Sequence, residues 1–442
     1  MGRMSEVGRL GAILVAALVV AAVAFLAIRA GGAEIGLGPD ATTSAGPAAS
    51  ESASASADPT GDASASPSAL SDADTQAILS EIEDQVIAIR GLEAADIGPA
   101  EIITREELGE ELRQLFEEEY PPEEQRRDNL ALRALGLLEA DQDVAELQLE
   151  LLGEQVVGFY DDTDKRMVVV SDAGLDVEAR ITYAHEYTHA LQDAAFGLDS
   201  LQTDAPGEDD RGLARTALIE GDASITMLAW MFQHLTPQEI QEYTLGAEIP
   251  DMSGIPSWMV EQLAFPYDDG LNWAVQLTGG DPFSPDFAAI DAAYADPPAT
   301  TEQIIHMDKW EGRESPRAVE VPDLAAALGE DWEEVDETPI GQATIEIMLR
   351  YLGVGGAQAE AASVGWGGDR AVIVSGADDA FAVAWRLAWD SPQEAAEFVD
   401  AYQIVVDGLD FSASVTELPN GEVLVVHASD EDLLDQTVDA AN

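Results

Sequence analysis

His185-Glu186-Tyr187-Thr188-His189 lies in the middle of a segment, 176–196, whose apolar residues recur at helical spacing. Residues four apart share one face of a helix, so the two imidazoles can bind the same metal ion. Glu186 lies between them, displaced toward the position of a metal-bound water. Because the chain has no cysteine, any metal site must use histidine and carboxylate. The pentapeptide therefore predicts a metal-binding helix, and zinc is a metal that neutral imidazole binds well.

A catalytic zinc ion keeps three protein ligands and an exchangeable water, so the site requires a third ligand. A second predicted helix begins near Asp209 or Asp210, and Glu220 interrupts its apolar run Ala217–Ala223. A carboxylate on a buried face must be paired or bound to a metal, because burying it alone is very costly. We therefore expect Glu220 to be the third ligand. The alternative is a buried ion pair with Arg215 or another arginine.

Two further acids are candidates for orienting the metal ligands. Asp222 points away from Glu220 on a helix, and Asp193 lies one turn beyond His189. Carboxylates behind metal-bound imidazoles commonly fix the orientation of the ring. We expect Asp222 to act in this way or as a capping acid, and Asp193 to be a similar candidate.

The two helices resemble those of the gluzincin metallopeptidases, the thermolysin-like arrangement, over about residues 155–235. The resemblance implies a zincin-like fold in which His185, His189 and Glu220 bind Zn²⁺ and Glu186 is the general base. Four residues after the third ligand that family has Asp, whereas this chain has Ser224. This difference from the family pattern favours a divergent branch of the gluzincins.

Alternating apolar residues on both sides of the turn-rich segment Asp161–Asp164 predict a β-hairpin over 155–171. The resemblance implies that an edge strand lies above the metal helix and pairs with an extended substrate. Met167–Val170 is the candidate for this pairing. The alternative is that this strand is simply part of the sheet.

Peptide hydrolysis also needs a hydrogen-bond donor to the developing oxyanion. Our first candidate is His306, which follows a predicted capping box of Thr300 and Gln303. The second is Tyr267, since a phenol can also donate to an oxyanion. Core packing or capping is the alternative for both. Their segments resemble stretches of uncharacterised bacterial envelope proteins with the same zinc motif. Tyr160 is a further donor candidate, whereas we interpret His234 and His427 as structural residues.

The charge of the chain excludes one class of function. Its 20 Lys and Arg stand against 86 Asp and Glu, a formal charge of −66 over 442 residues. Such a surface repels a phosphate backbone, so nucleic-acid binding is excluded. Salt screens this self-repulsion, so the excess favours a protein that works in salty or alkaline surroundings over one with a dedicated cation-binding surface.

The N-terminal region predicts export. Leu10–Ile28 is 19 uncharged residues, long enough for a membrane-spanning helix. Arg3 and Arg9 precede it, which places the N-terminus in the cytoplasm and the rest outside. We expect a single-pass signal-anchor over 1–29 and a disordered tether rich in Ala, Ser and Pro over 30–72. The alternative is a cleaved signal peptide and a secreted protein.

Residues 73–320 are expected to form the mainly helical metallopeptidase domain, and 321–442 a small antiparallel α+β domain. Gly365–Arg370 lacks the Lys and the Ser or Thr of a phosphate loop, so we interpret it as a turn at the rim of the cleft. Trp385 and Trp389 should share one face of a strand in the core. The C-terminal prediction comprises helix 339–352, strands 371–375, 381–389, 413–418 and 422–427, a helix from Ser391, a hairpin turn at Asn420-Gly421 and a last helix from Asp430.

The sequence as a whole favours a membrane-anchored, extracytoplasmic, zinc-dependent hydrolase that cleaves peptides or proteins. One alternative is a non-catalytic envelope protein in which zinc only joins two helices. Structural zinc sites usually have four protein ligands, and only three are identifiable here. A zinc amidase acting on cell-wall amides would use the same residues. The sequence gives no indication of oligomeric state.

Overall fold

The structure is a computed structural model that describes residues 71–171, 174–201, 207–246 and 252–442. The predicted anchor and all of the predicted tether except its last two residues lie outside this part of the chain. Across the residues described, no helix is both long enough and apolar enough to cross a membrane. The architecture is α+β, as predicted.

The N-terminal part of the described chain is mainly helical. Its elements are α1 (Asp72–Arg90), β1 (Glu101–Ile103), α2 (Arg105–Glu119), α3 (Pro122–Ala134), α4 (Val144–Gln155), β2 (Gly158–Asp161), β3 (Arg166–Val170), α5 (Val177–Phe196), α6 (Asp209–His234), α7 (Pro237–Gly246), α8 (Ser257–Leu277), α9 (Ala288–Ala295), α10 (Thr301–Ile305), α11 (Met307–Gly312) and α12 (Leu324–Leu328).

The C-terminal part combines a sheet with further helices. Its elements are β4 (Glu333–Thr338), α13 (Gln342–Tyr351), α14 (Gly356–Ser363), β5 (Trp366–Ser375), β6 (Phe381–Trp389), α15 (Pro392–Gly408), β7 (Ser412–Glu417), β8 (Val423–Ala428) and α16 (Glu431–Ala441).

Short polar side chains cap the starts of two helices. The Asp176 side chain accepts from the backbone N–H of Ala179 at the start of α5. Thr104 and Glu107 form the full capping box that begins α2. In each case a short polar side chain satisfies an N–H that has no partner inside the helix.

The predicted hairpin is confirmed, but its place in the sheet differs from our expectation. β2 and β3 are antiparallel, with Gly158 opposite Val169. β1, which the sequence analysis did not predict, pairs in parallel with the other side of β3. The strand order is β1-β3-β2, so β3 is the central strand. The expectation that Met167–Val170 offers a free edge to a substrate is therefore wrong, because both sides of the strand are already paired.

Two glycines bring the helices around the metal motif into close contact. A Cβ on Gly221 of α6 would lie 2.3 Å from the carbonyl oxygen of Gly270 in α8. A Cβ on Gly270 would lie 2.4 Å from the carbonyl oxygen of Ala217. Only glycine permits this backbone approach. It fixes α8 against the segment of α6 that carries Glu220.

The C-terminal sheet has five strands in the order β4-β5-β6-β8-β7, each antiparallel to its neighbours. The predicted turn at Gly365–Arg370 is wrong, because β5 begins at Trp366 and pairs that residue with Trp389. The pairing contains a bulge before Gly368, and a Cβ there would meet the Arg317 carbonyl oxygen at 2.4 Å. The glycines therefore permit a close backbone approach within a strand.

The larger hydrophobic core joins the N-terminal helices to the C-terminal sheet. Leu112 of α2 and Leu152 of α4 belong to the same buried cluster as Trp385 of β6 and Phe398 of α15. A second cluster surrounds the metal motif and includes Val86, Leu191, Ile219 and Trp273. The division of the chain at residue 320 stays a prediction.

Candidate metal centre

Helices α5 and α6 bring the three predicted ligands together. The Nε2 atoms of His185 and His189 are 3.1 Å apart. Glu220 places Oε2 3.0 Å from His185 Nε2 and Oε1 3.5 Å from His189 Nε2. The three ligand atoms all lie within 4.8 Å of one another, so this triad can bind a metal ion. No arginine is needed to explain the burial of Glu220, since Arg215 instead donates to the carbonyl oxygen of Leu201.

The triad is deeply buried and electrostatically coupled. His185 and Glu220 are 0% exposed and His189 is 3% exposed. Burial lowers the pKa of His185, which favours the neutral form that binds metals. Burial alone would raise the pKa of Glu220, but the two imidazoles outweigh it and the pKa lies below its ordinary value. Burial would lower the pKa of His189, but Glu220 outweighs it and raises that pKa to about 9. Without a metal ion the site therefore favours an ionised Glu220 beside a protonated His189 and a neutral His185.

Glu186 is buried beside the triad and forms no ion pair there within the described residues. It is 0% exposed, and neither carboxylate oxygen has a side-chain hydrogen-bond partner within the described residues; its polar neighbour is the backbone amide of Tyr160. Burial raises its pKa to about 8 and Glu220 adds to the shift, while His189 and the backbone amide of Tyr160 act in the opposite direction. A bound cation would oppose the rise.

The hairpin positions β2 directly against the metal helix. A Cβ on Gly158 would lie 2.5 Å from Cγ2 of Thr182 and 3.5 Å from Cγ of Glu186. A larger residue would push the strand away from α5. Gly158 thus holds the backbone of β2 next to Glu186.

Behind His189 the structure shows a partner that the sequence analysis missed. The Nδ1 atom of His189 is 2.8 Å from Oε1 of Gln192, whose Nε2 donates to Oδ2 of Asp222 at 2.9 Å. Asp222 is therefore a supporting acid, as predicted, but it acts through Gln192. The expectation for Asp193 is wrong, since it accepts from Tyr160 and pairs with Lys165. Gln192 lies about one helical turn after His189, and this spacing could have identified it from the sequence as a neighbour of that imidazole.

Tyr267, one of the two predicted oxyanion donors, lies beside the triad. It is 1% exposed, and its ring stacks on that of His185 with centroids 6.1 Å apart. The glycine contact between α6 and α8 positions the helix that carries it. Its role as a donor stays a prediction.

His306, the first-choice donor, lies in a different setting from the one predicted. It is between α10 and α11, and its Nε2 is 2.9 Å from the amide nitrogen of Gln342. It lines a cleft of about 340 Å³ together with Asp268 and Asp269, and within the described chain this lining includes no member of the triad. Gln303 does not complete a capping box, because its side chain accepts from Ala299. A role of His306 in catalysis stays a prediction.

Tyr160 and the two histidines expected to be structural have other partners or positions. Tyr160 donates to Asp193 at 2.9 Å. His234 ends α6 and stacks on Trp230. His427 is fully buried in β8, where Nδ1 lies 2.8 Å from the carbonyl oxygen of Ala134 and Nε2 lies 3.0 Å from the Tyr402 hydroxyl. These contacts give His427 the structural setting we expected.

Comparisons with known proteins concern the sheet region. A family model described as a domain of unknown function (DUF8575) matches residues 330–437. The match contains all five strands of the C-terminal sheet and lies outside the metal triad. No curated protein and no solved structure matches the chain. The metal centre must therefore be interpreted from its own residues.

Proposed function

We propose that the protein is a zinc-dependent hydrolase that cleaves peptide bonds, in the manner of the gluzincins that its metal helices resemble. The observation that carries the proposal is the combination of a three-ligand triad with the adjacent buried carboxylate of Glu186, which pairs with no side chain of the described residues. A purely structural metal site needs no such carboxylate, and keeping one buried without a pairing side chain is costly. The proposal also includes an extracytoplasmic location and an N-terminal membrane anchor, which follow from the sequence of residues 1–29.

The triad fits zinc in donor type and spacing. Two imidazoles and one carboxylate are the ligand set of one class of catalytic zinc sites. Zinc–ligand distances of about 2.0–2.1 Å in a tetrahedral site place ligand atoms about 3.3 Å apart. The observed separations of 3.0, 3.1 and 3.5 Å lie on either side of that value.

The residues around the triad would perform the remaining chemistry. A zinc ion held by the triad would supply a Lewis acid and lower the pKa of its bound water to about 7. Glu186 would accept the proton of that water and deliver it to the leaving amine. Tyr267, whose ring stacks on that of His185, would donate to the developing oxyanion. A peptide that extends the three-stranded sheet beside α5 would pair with β2, since β3 is occupied on both sides.

The test is Glu186→Gln in the full-length chain, with zinc content and hydrolysis of a peptide library measured together in high salt. We expect the variant to keep its zinc and to lose at least about 10³-fold in turnover, because the amide cannot accept the proton. The matched control is Glu178→Gln, an exposed acid in the first turn of the same helix. Full hydrolysis by a zinc-loaded Glu186→Gln protein would refute the assigned role.

A second function is favoured by a specific observation. His185, Glu186 and Glu220 are all 0% exposed, which suits a non-catalytic zinc site that joins α5 and α6. A hydroxamate chelator distinguishes the two functions, because it binds a metal with an open coordination position and not a closed one. Chelator binding without cleavage of peptides would direct the search to cell-wall amides.

A further inference from the structure

The hydrogen bonds behind His189 continue through buried side chains to the first helix of the described chain. Gln192 connects His189 to Asp222. Arg90, near the end of α1, donates to Asp222 through Nε at 2.7 Å and Nη2 at 3.1 Å. Gln192 and Asp222 are 0% exposed and Arg90 is 2% exposed. We call Gln192, Asp222 and Arg90 the His189 relay.

The partners of Gln192 determine how its amide is oriented. Its Nε2 contacts the backbone carbonyl of Ile219 at 3.0 Å and Oδ2 of Asp222 at 2.9 Å. Both partners accept hydrogen bonds, so the amide nitrogen must face them. The amide oxygen then faces Nδ1 of His189, which must carry a proton to donate. When its ring is neutral, as metal binding requires, His189 is thereby held as the Nδ1–H tautomer, with the lone pair of Nε2 directed at the triad.

Arg90 keeps the end of the relay in place. Its guanidinium forms two bonds to Asp222 and a third, at 2.6 Å, to Asp291 of α9. It also lies over the ring of Phe287, 4.6 Å from the centroid. Tyr294 donates to the same carboxylate oxygen of Asp222 that accepts from Gln192. With this number of donors, Asp222 has no freedom to rotate away from Gln192.

The other imidazole of the triad has no such support. Nδ1 of His185 has no hydrogen-bond partner within the described residues. The orientation of His185 therefore depends on packing, including the stacked ring of Tyr267. The hydrogen-bond network therefore supports only one of the two imidazoles. Its effect on ring orientation should be confined to His189.

We propose that Gln192, Asp222 and Arg90 are positioning residues that hold His189 in its metal-binding tautomer, which makes α1 an integral part of the metal centre. The inference rests on the metal-binding triad of the proposed function and not on hydrolysis. It assigns a role to a helix that follows the predicted tether directly and contributes no ligand.

The first experiment measures the affinity of the full-length chain for Zn²⁺ by competition with a chromophoric chelator, without substrate. Gln192→Met keeps the length of the side chain and removes its hydrogen bonds to His189 and Asp222. We expect it to weaken Zn²⁺ binding by about 10- to 100-fold, the usual effect of losing the partner of a ligating imidazole. The matched control is Asp193→Asn on the next residue, whose carboxylate contacts Tyr160 and Lys165. We expect the control to bind Zn²⁺ like the parent.

The second experiment tests whether the three residues act as one unit. Arg90→Met and Asp222→Asn should each weaken Zn²⁺ binding, and combining either with Gln192→Met should add little further loss. Merely structural roles would instead give additive losses. Additive losses would overturn the relay.

The third experiment detects the tautomer directly and does not depend on the charged variants folding. The chain has five histidines, so ¹⁵N-histidine spectra of the metal-free protein are simple to assign. We expect His189 at about pH 10, above its raised pKa of about 9, to show the Nδ1–H pattern in the parent and a mixture of tautomers in Gln192→Met. An unchanged His189 pattern, or unchanged Zn²⁺ affinity in that variant, would overturn the proposal. Absence of hydrolysis would affect only the proposed function.

Discussion

The metal centre and the C-terminal sheet each contain a fully paired buried carboxylate, but the donors differ. Asp222 accepts two bonds from Arg90, one from Gln192 and one from Tyr294. Asp369 accepts from the backbone of Ile340 and Gly341 at 2.8 and 3.1 Å. The indoles of Trp366 and Trp385 complete its four bonds at 2.8 and 2.7 Å.

The two carboxylates differ in the groups that their donors contact next. The donors to Asp369 are uncharged groups from the residues just before α13, from β5 and from β6. These hydrogen bonds do not continue to the triad. The donors to Asp222 include a buried guanidinium and an amide that continues to a metal ligand. Nδ1 of His185 lacks a hydrogen-bond partner in the described chain, but so does Nε1 of Trp389 in the sheet. The contrast between the two regions therefore rests on the donors to Asp222 and Asp369.

The largest effect that separates the two regions should come from His185→Ala. Removing one of three ligands should reduce the zinc content from about one per chain to none, because three protein ligands are the minimum for such a site. Mass spectrometry of the purified full-length chain measures this content. The control is His234→Ala, an exposed histidine at the end of α6. Zinc retained by well-folded His185→Ala would show that the triad is not the metal centre.

Asp369→Ala tests the sheet side of the comparison. It leaves four donors without their acceptor in the core, and we expect it to lower the free energy of unfolding by roughly 4 kcal/mol. Urea unfolding measures the loss. The folded Asp369→Ala protein should bind Zn²⁺ with an affinity within about twofold of that of the parent. Asp222→Asn, in contrast, should weaken binding. The control is Asp390→Asn, an exposed acid paired with Lys309 and Arg317, for which we expect about 1 kcal/mol or less.

Gly221→Ala tests the contact that places α8 against α6. The added Cβ would lie 2.3 Å from the carbonyl oxygen of Gly270, and we expect a loss of about 3 kcal/mol in urea unfolding. Zn²⁺ affinity should also fall, since Glu220 is the preceding residue. The control is Gly153→Ala in α4, where a Cβ would meet nothing within 4 Å, and it should be neutral or slightly stabilising. Equal stability of the two variants would refute the close-contact argument.

The metal ligands could be predicted because their chemistry is local in sequence. His185 and His189 are one helical turn apart, and Glu220 interrupts an apolar helix face. Helix caps such as Asp176 and Thr104 have the same local character. The relay could be predicted only in part, because Arg90 meets Asp222 across 132 residues and no spacing in the sequence records that contact.

The errors in the fold also have physical causes. β1 has only three residues, too few for an alternating pattern, and without it β3 reads as an edge strand. Gly365–Arg370 has the composition of a turn, but the absence of side chains at Gly367 and Gly368 allows Arg317 to lie against β5. Glycine marks close backbone approach as well as turns, and the sequence alone does not distinguish the two.

The smallest effect should come from His427, which lies where α3 meets the sheet. Burial lowers the pKa of His427 from 6.5 to about 4, while the Ala134 carbonyl acts in the opposite direction. The unfolded chain therefore takes up a proton first as the pH falls, so the stabilisation present at pH 7 is lost between about pH 6.5 and 4. We expect His427 to account for about 2 kcal/mol of the loss between pH 7 and 5. Urea unfolding of the parent and of His427→Gln at both pH values measures this difference, and parallel losses in the two proteins would contradict the assignment. Buried acids with raised pKa values, such as Asp210, act in the opposite sense in both proteins and cancel from the comparison.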